Sequence, residues 1–343
     1  MCRFGHKWKK WLSTALAVVF LAFGVACKDE QTSAGDITVY MPDGAPALAM
    51  AKLMHEDSAD DGVSYAVVDP QVIQLQVGYT DASKNADLCV LPVNAAAKLL
   101  GNGENYQMLG AVTRGNLYLL GREDAAITQE NISSLLGKKV GVLQLNQVPG
   151  LTFKATLQTL GVAYHELVQG ATMQDNAVNL YALTGASDID LESDTDYWLI
   201  AEPAASLQMK QKSLCRVGDL QALYGGGYTQ AVLVAKKSII TGKAEWLKGF
   251  LADLKANTEW IREAEANTIV SAVTAHLADK NYASTLKAPM LSQEAISHCG
   301  LGFVSAKDCA VDTTAFLGKM IAINPNATVL PSADFYCTTD FGV

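Results

Sequence analysis

Four short loops carry the side chains best suited to holding a small molecule. Pro42-Asp43-Gly44-Ala45 follows an apolar run ending at Met41, Pro92-Val93-Asn94 follows a second, Gln144-Leu145-Asn146-Gln147 a third, and Glu202 precedes Pro203 in the fourth. The amides of Gln144, Asn146 and Gln147 offer both donors and acceptors. Carboxylates at Asp43 and Glu202 favour a ligand that donates hydrogen bonds or carries positive charge, such as an aminopyrimidine. Each position also has a plain structural reading: Pro-Asp-Gly is good turn chemistry, Asn94 suits a helix cap, and Glu202 complements a helix N-terminus. Tyr224 and Tyr228 flank Gly225–Gly227 and either stack on a planar ligand or simply pack. Motifs for bond-breaking chemistry are missing: the chain has no CxxC, HExxH, GxSxG or GxxxxGK[ST], and its five histidines are scattered. Cys89, inside a predicted strand, reads as core rather than nucleophile. The expectation is a binding protein without metal or cofactor, and no enzyme.

One grammar positions these loops: a β-branched or apolar run, a loop with Pro, Gly or Asn, then a helix-period segment. It occurs at Ile37–Met41, Leu88–Leu91, the run ending near Leu143, and Tyr197–Ala201. In the first unit Pro46 suits the first helical turn, and Ala47, Met50, Ala51 and Met54 form one helical stripe. In the third, Gly161 closes a helix whose face carries Phe153, Thr156, Leu157 and Leu160. Strands alternating with helices predict α/β sheets covered on both faces. Strand-like runs at 106–122 and 225–237 bracket the middle third, and Gly115 and Gly225–Gly227 supply hinge freedom where the chain crosses between lobes. Beyond Ser238 the pattern reads as helical, with Trp246, Phe250, Leu254 and Ile261 facing inward.

The N-terminus sets the compartment. Lys7, Lys9 and Lys10 precede an apolar run from Trp11 to Ala26 that is short for a bilayer span and stops at Cys27, as in a secretory signal. Removing residues 1–26 deletes four basic and no acidic residues, moving the formal charge from −9 to −13. So acidic a surface argues against nucleic acid or anionic lipid as a partner. A chain of 343 residues, half of them apolar, predicts two lobes. Besides Cys27, the mature chain keeps Cys89, Cys215, Cys299, Cys309 and Cys337. Bridges between 299 and 309 or between 309 and 337 stay open, as do free thiols.

Gly24-Val25-Ala26-Cys27 resembles a bacterial lipobox, which implies acylation of Cys27. The order of VYMPDGAPALAMAKL, ADLCVLPVNAAAKL, ISSLLGKKVGV with PGLTFKATLQTLGV, and DYWLIAEPAAS resembles type II periplasmic-binding proteins, in the branch of nitrate, sulfonate and thiamine-precursor binders. The resemblance implies a two-lobed α/β fold, each lobe a mostly parallel sheet flanked by helices and joined by two crossing segments. It implies a signal at 1–26, a spacer at 27–35, a first lobe at 36–115 and 237–343, and a second at 116–236. It further implies a monomeric extracytoplasmic receptor, anchored by lipid, that delivers solute to an ABC permease and its ATPase. The expected ligand contacts are Met41, Asp43, Gly44, Ala45, Pro92, Asn94, Gln144, Asn146, Gln147, Glu202 and Tyr228. The favoured ligand is an amine-bearing heterocycle; an anion, an enzyme on the same fold and a surface sensor are the alternatives.

Overall fold

The computed structural model describes residues 37–58 and 61–343. The expected signal, Cys27 and the spacer lie outside the described residues. Twelve strands are described: β1 (Ile37–Pro42), β2 (Val63–Val68), β3 (Leu88–Pro92), β4 (Tyr106–Thr113), β5 (Leu117–Gly121), β6 (Lys139–Leu143), β7 (Tyr164–Glu166), β8 (Val178–Leu183), β9 (Tyr197–Ala201), β10 (Cys215–Asp219), β11 (Ala231–Lys236) and β12 (Leu301–Ser305). The α-helices are α1 (Ala45–Leu48), α2 (Ala51–His55), α3 (Val93–Leu100), α4 (Val148–Thr159), α5 (Ala204–Lys212), α6 (Leu220–Tyr224), α7 (Lys237–Gly242), α8 (Ala244–Glu263), α9 (Ala266–Ala275), α10 (Gln293–Ser297) and α11 (Ala306–Ile323).

The strands form two six-stranded sheets, ordered β12-β4-β11-β3-β1-β2 and β10-β5-β9-β6-β8-β7. In each, the strand–loop–helix units pair in parallel (β1 with β2 and β3; β6 with β8 and β9), while strands beside the crossings pair antiparallel. Reversal follows from the path: β4 leaves the first sheet and β5 enters the second only three residues later, at Arg114-Gly115-Asn116. The chain returns through 225–230 into β11, inserted between β3 and β4. The strand 231–236, expected in the second lobe, is therefore central to the first sheet. Strand character is local, whereas its pairing partner is not. β12 likewise joins this sheet within the stretch expected to be helical.

Burial follows the sequence periods. Ile37, Val39 and Met41 alternate inward on β1, and Phe250, Leu254 and Ile261 line the buried face of α8, with Trp246 partly exposed beside it. Helix α4 departs from a one-sided stripe, being buried from Val148 to Leu157, because it packs against both its own sheet and α11. One apolar core runs from the first sheet through α3, α11 and α4 into the second. The five described cysteines are free thiols, four of them buried. Burial pushes the Cys89 thiol up, consistent with a core residue.

The first predicted helix is broken in two. All four stripe residues are buried, but Ala49 and Met50 interrupt the ladder. The Asn257 amide from α8 fills the gap, its Oδ1 accepting from Lys52 N at 2.8 Å and its Nδ2 donating to Leu48 O at 3.1 Å. Asn257→Leu is expected to lower stability by about 2–4 kcal/mol, since two backbone groups lose their partner away from water. Urea denaturation measures it, and a loss near zero would show that water replaces the amide.

Candidate functional site

The crossings gather the strand ends. β3 ends at Pro92, and the N–H of Val93 donates to Gln230 O on the return crossing at 3.0 Å; Gln230 N donates to Thr113 O at 3.0 Å. Two residues past Arg114, Asn116 exchanges backbone and side-chain bonds with Glu202: Glu202 N to Asn116 O at 2.8 Å and Asn116 Nδ2 to Glu202 O at 2.7 Å. The β3 and β9 ends, one from each sheet, are thus joined by hydrogen bonds to the two crossings, with the backbone from Thr113 to Asn116 completing the link. Ligands of open α/β sheets sit beyond such carboxyl ends.

The expected contacts divide sharply. Met41 is fully buried in the core of the first sheet, and Ala45 and Tyr228 are buried too. Tyr228 stacks on Phe316 with centroids 5.1 Å apart and donates to Gln221 Oε1 at 3.1 Å, so it packs the crossing instead of offering a face to ligand. Gly44 has φ +103° and ψ −148°, a region open essentially to glycine, which explains the residue. Asn94 is not the cap expected of it. Pro92 holds that place, Val93 N is satisfied by Gln230, and Asn94 is the second residue of α3. Its Nδ2 reaches Ala327 O at 3.3 Å, while its buried Oδ1 has no partner among the described residues.

Both carboxylates are committed. Asp43 accepts from Ser284 Oγ (2.8 Å), Thr285 N (2.6 Å), Thr285 Oγ1 (2.7 Å) and Tyr282 Oη (3.2 Å). Glu202, whose side chain is 0% exposed, takes Ser206 N and Oγ and pairs with Arg216 at 2.6 Å; its peptide bond to Pro203 is cis. Neither is available to an amine.

The Gln144–Gln147 loop is different, with Gln144, Asn146 and Gln147 exposed. Gln144 has φ +48°, a left-handed conformation uncommon outside glycine and often found where a side chain is aimed at a task. The loop folds back so closely on α4 that a Cβ on Gly150 would run into the Leu145 carbonyl. Lys154, buried in α4, anchors it by donating to Asn146 Oδ1 at 3.1 Å and pairing with Glu166 at 2.7 Å.

The crossing residues Arg114 and Gln230 lie outside the expected contact set. Arg114 Nη2 donates to Gly227 O at 3.3 Å, its buried Nε has no partner, and no carboxylate pairs with it among the described residues. Gln230 Oε1 is also buried without a partner. Arg114 had one signal, its place beside Gly115. Gln230 had none, because only the path of the return crossing brings its backbone against Val93 and Thr113. Helices α3 and α4 begin without an acidic first turn or a side-chain cap. Their N-termini therefore keep their positive end uncompensated.

No family model matches the chain, and no curated protein matches it. Solved structures do. An ABC transporter protein from Parabacteroides distasonis is similar at 20% identity and TM-score 0.66, covering 89% of this chain and 100% of its own. The periplasmic aliphatic sulphonate binding protein of Escherichia coli is similar at 16% identity and TM-score 0.63, covering 88% and 91%. The alkanesulfonate-binding protein of Xanthomonas axonopodis pv. citri, solved with MOPS, is similar at 15% identity and TM-score 0.51, covering 87% and 95%. The chain has the two-lobed α/β fold of type II periplasmic-binding proteins. No helix among the described residues is long and apolar enough to cross a membrane.

Proposed function

We propose that this protein is an extracytoplasmic solute receptor, a monomer anchored by lipid at Cys27, that holds a small molecule between its lobes and passes it to an ABC permease and ATPase. The observation that carries the reading is the edge where β3, both crossings and β9 meet, with Asn94 Oδ1, Arg114 Nε and Gln230 Oε1 buried and uncommitted. Such groups are costly unless something satisfies them: Arg114 Nε needs an acceptor and the two amide oxygens need donors, so the fitting ligand carries both. The fold likeness supports a binding role, and the relatives named for sulfonates support an importer.

The ligand class shifts from the amine expected of the sequence to an anion that also carries a hydrogen-bond donor. Asp43 and Glu202 have internal donors, whereas among the described residues Arg114 has no carboxylate, and two helix N-termini start without acids. An anion accepts from Arg114 and from first-turn N–H groups of α3 and α4 other than Val93 N, which Gln230 already satisfies. In a thermal-shift screen, small sulfonates or other anions are expected to stabilise the protein, by about 2.7 kcal/mol at a hundredfold excess over Kd. Arg114→Gln should abolish that shift while leaving the unliganded melting temperature nearly unchanged. Stabilisation by aminopyrimidines with no response to anions would overturn the anion reading, and conversion of the bound compound would overturn the nonenzymatic one.

A further inference from the structure

Helix α4 buries a lysine among Leu151, Phe153, Ala155 and Leu157. The Lys154 side chain is 2% exposed. A buried ion pair can commonly be replaced by apolar side chains of similar size at no loss of stability, because desolvation offsets the pairing. Glu166 does not require the lysine either, being 36% exposed and solvated when unpaired. Lys154 has a second bond, from Nζ to Asn146 Oδ1 at 3.1 Å, on the loop at the carboxyl end of β6.

Other contacts already fix the backbone of that loop. Gln144 N donates to Leu183 O at 2.9 Å, Gln147 N to Gln144 O at 2.8 Å, and Leu151 N to Gln147 O at 2.9 Å. Leu145 packs so closely on Gly150 that a Cβ there would lie 2.0 Å from its carbonyl oxygen. What remains to be set is the exposed Asn146 side chain, whose amide has two donors at one end and an acceptor at the other. An ammonium only donates, so Lys154 claims the oxygen and leaves the Nδ2 donors as the free end. Asn94 is held the other way round: its Nδ2 is taken by Ala327 O at 3.3 Å, and its Oδ1 is left over.

We infer that Lys154 is a positioning residue that fixes Asn146 as a donor toward the ligand, and so selects an anionic group at the α4 end of the cleft. Asn146 lies two residues ahead of the first turn of α4, whose N-terminus has no acidic residue and no side-chain cap. Its Nδ2 hydrogens add to the positive end of that helix, and the oxygens of an anion accept from both. With Lys154 replaced by an apolar side chain, either end of the amide can face outward. An anion then meets the Asn146 carbonyl as readily as its donors.

This rests on the receptor reading, and its first test needs no ligand. In nitrogen-edited NMR spectra of the full chain, Lys154→Met is expected to shift the Asn146 side-chain amide resonances. Backbone hydrogen exchange across 144–151 should stay within about twofold of wild type. Calorimetric binding of 2-hydroxyethanesulfonate then reads the selection. Lys154→Met and Asn146→Ala should each weaken it about tenfold, roughly one hydrogen bond to a charged group, and the double variant no more than either alone. Asn146→Asp, an exposed change that gives Lys154 one oxygen and the anion the other, should weaken it further. That variant decides the question if Lys154→Met does not fold. Unmoved Asn146 resonances, additive losses, an Asn146→Asp protein that binds like wild type, or protection lost across all of 144–151 would each overturn the positioning role and leave the receptor reading intact. A wild-type chain that binds no anion overturns the anion reading instead, and the ligand-free spectrum still decides whether Lys154 holds Asn146.

Discussion

Arg216→Met is expected to lower unfolding stability by about 3–5 kcal/mol, with the midpoint of urea denaturation moving and the slope unchanged. Glu202 is the reason. Its carboxylate is inaccessible, and Arg216, whose side chain is 16% exposed, is the cation that pairs with it. Removing the guanidinium strands a charge that only Ser206 N and Oγ then hold. The arginine also lies over the Tyr118 ring at 4.7 Å, so its loss removes packing as well as charge. The double variant Glu202→Gln/Arg216→Met should recover much of the loss, because a neutral amide in that place no longer needs a cation. A single variant losing less than about 1 kcal/mol would mean that the pair is solvated and behaves as a surface bridge.

Asp43→Ala separates a scaffold carboxylate from a ligand contact. Four donors converge on Asp43, and Ser284 and Asp43 are both almost fully buried. Their loss is expected to cost about 2–4 kcal/mol. Hydrogen exchange should also rise across 282–286, where the Thr285 amide loses its acceptor. Ligand affinity, normalised to folded protein, is expected to change far less than stability. The opposite pattern, an unchanged melting temperature with binding lost, would return Asp43 to the ligand. The same measurements on Arg114→Gln should give the opposite pattern to Asp43→Ala, and so sort the two residues by role.

Much of the fold is legible locally. β1, β3, β6 and β9 were readable because each apolar run ends in a Pro, Gly or Asn loop and is followed by a helix-period segment. β12 was not: all five of its residues are half-buried, Gly302 has φ +151°, and no alternation marks it. β11 was readable as a strand but not as a member of the first sheet, since its pairing with β3 and β4 is fixed by the path of the whole chain. The site was less legible than the fold. Gln144, Asn146 and Gln147 keep their amides exposed, but Met41, Asp43, Glu202 and Tyr228 turned inward to packing and anchorage.

The sequence by itself determined the strand–loop–helix units, the places where loops follow strands, the two-lobed α/β class and the lack of catalytic motifs. These depend on neighbours within a few residues, which periodicity and turn chemistry report. Only the tertiary structure decided what the charged groups do. Asp43 meets Ser284 from 241 positions away, and Glu202, just past β9, meets Arg216 on β10, with β5 lying between those two strands in the sheet. A carboxylate in a loop has the same sequence signature whether it faces a ligand or a hydroxyl of its own chain. The partner is chosen by how distant segments pack, and that choice moved the uncommitted polar groups from the carboxylates to Asn94, Arg114 and Gln230.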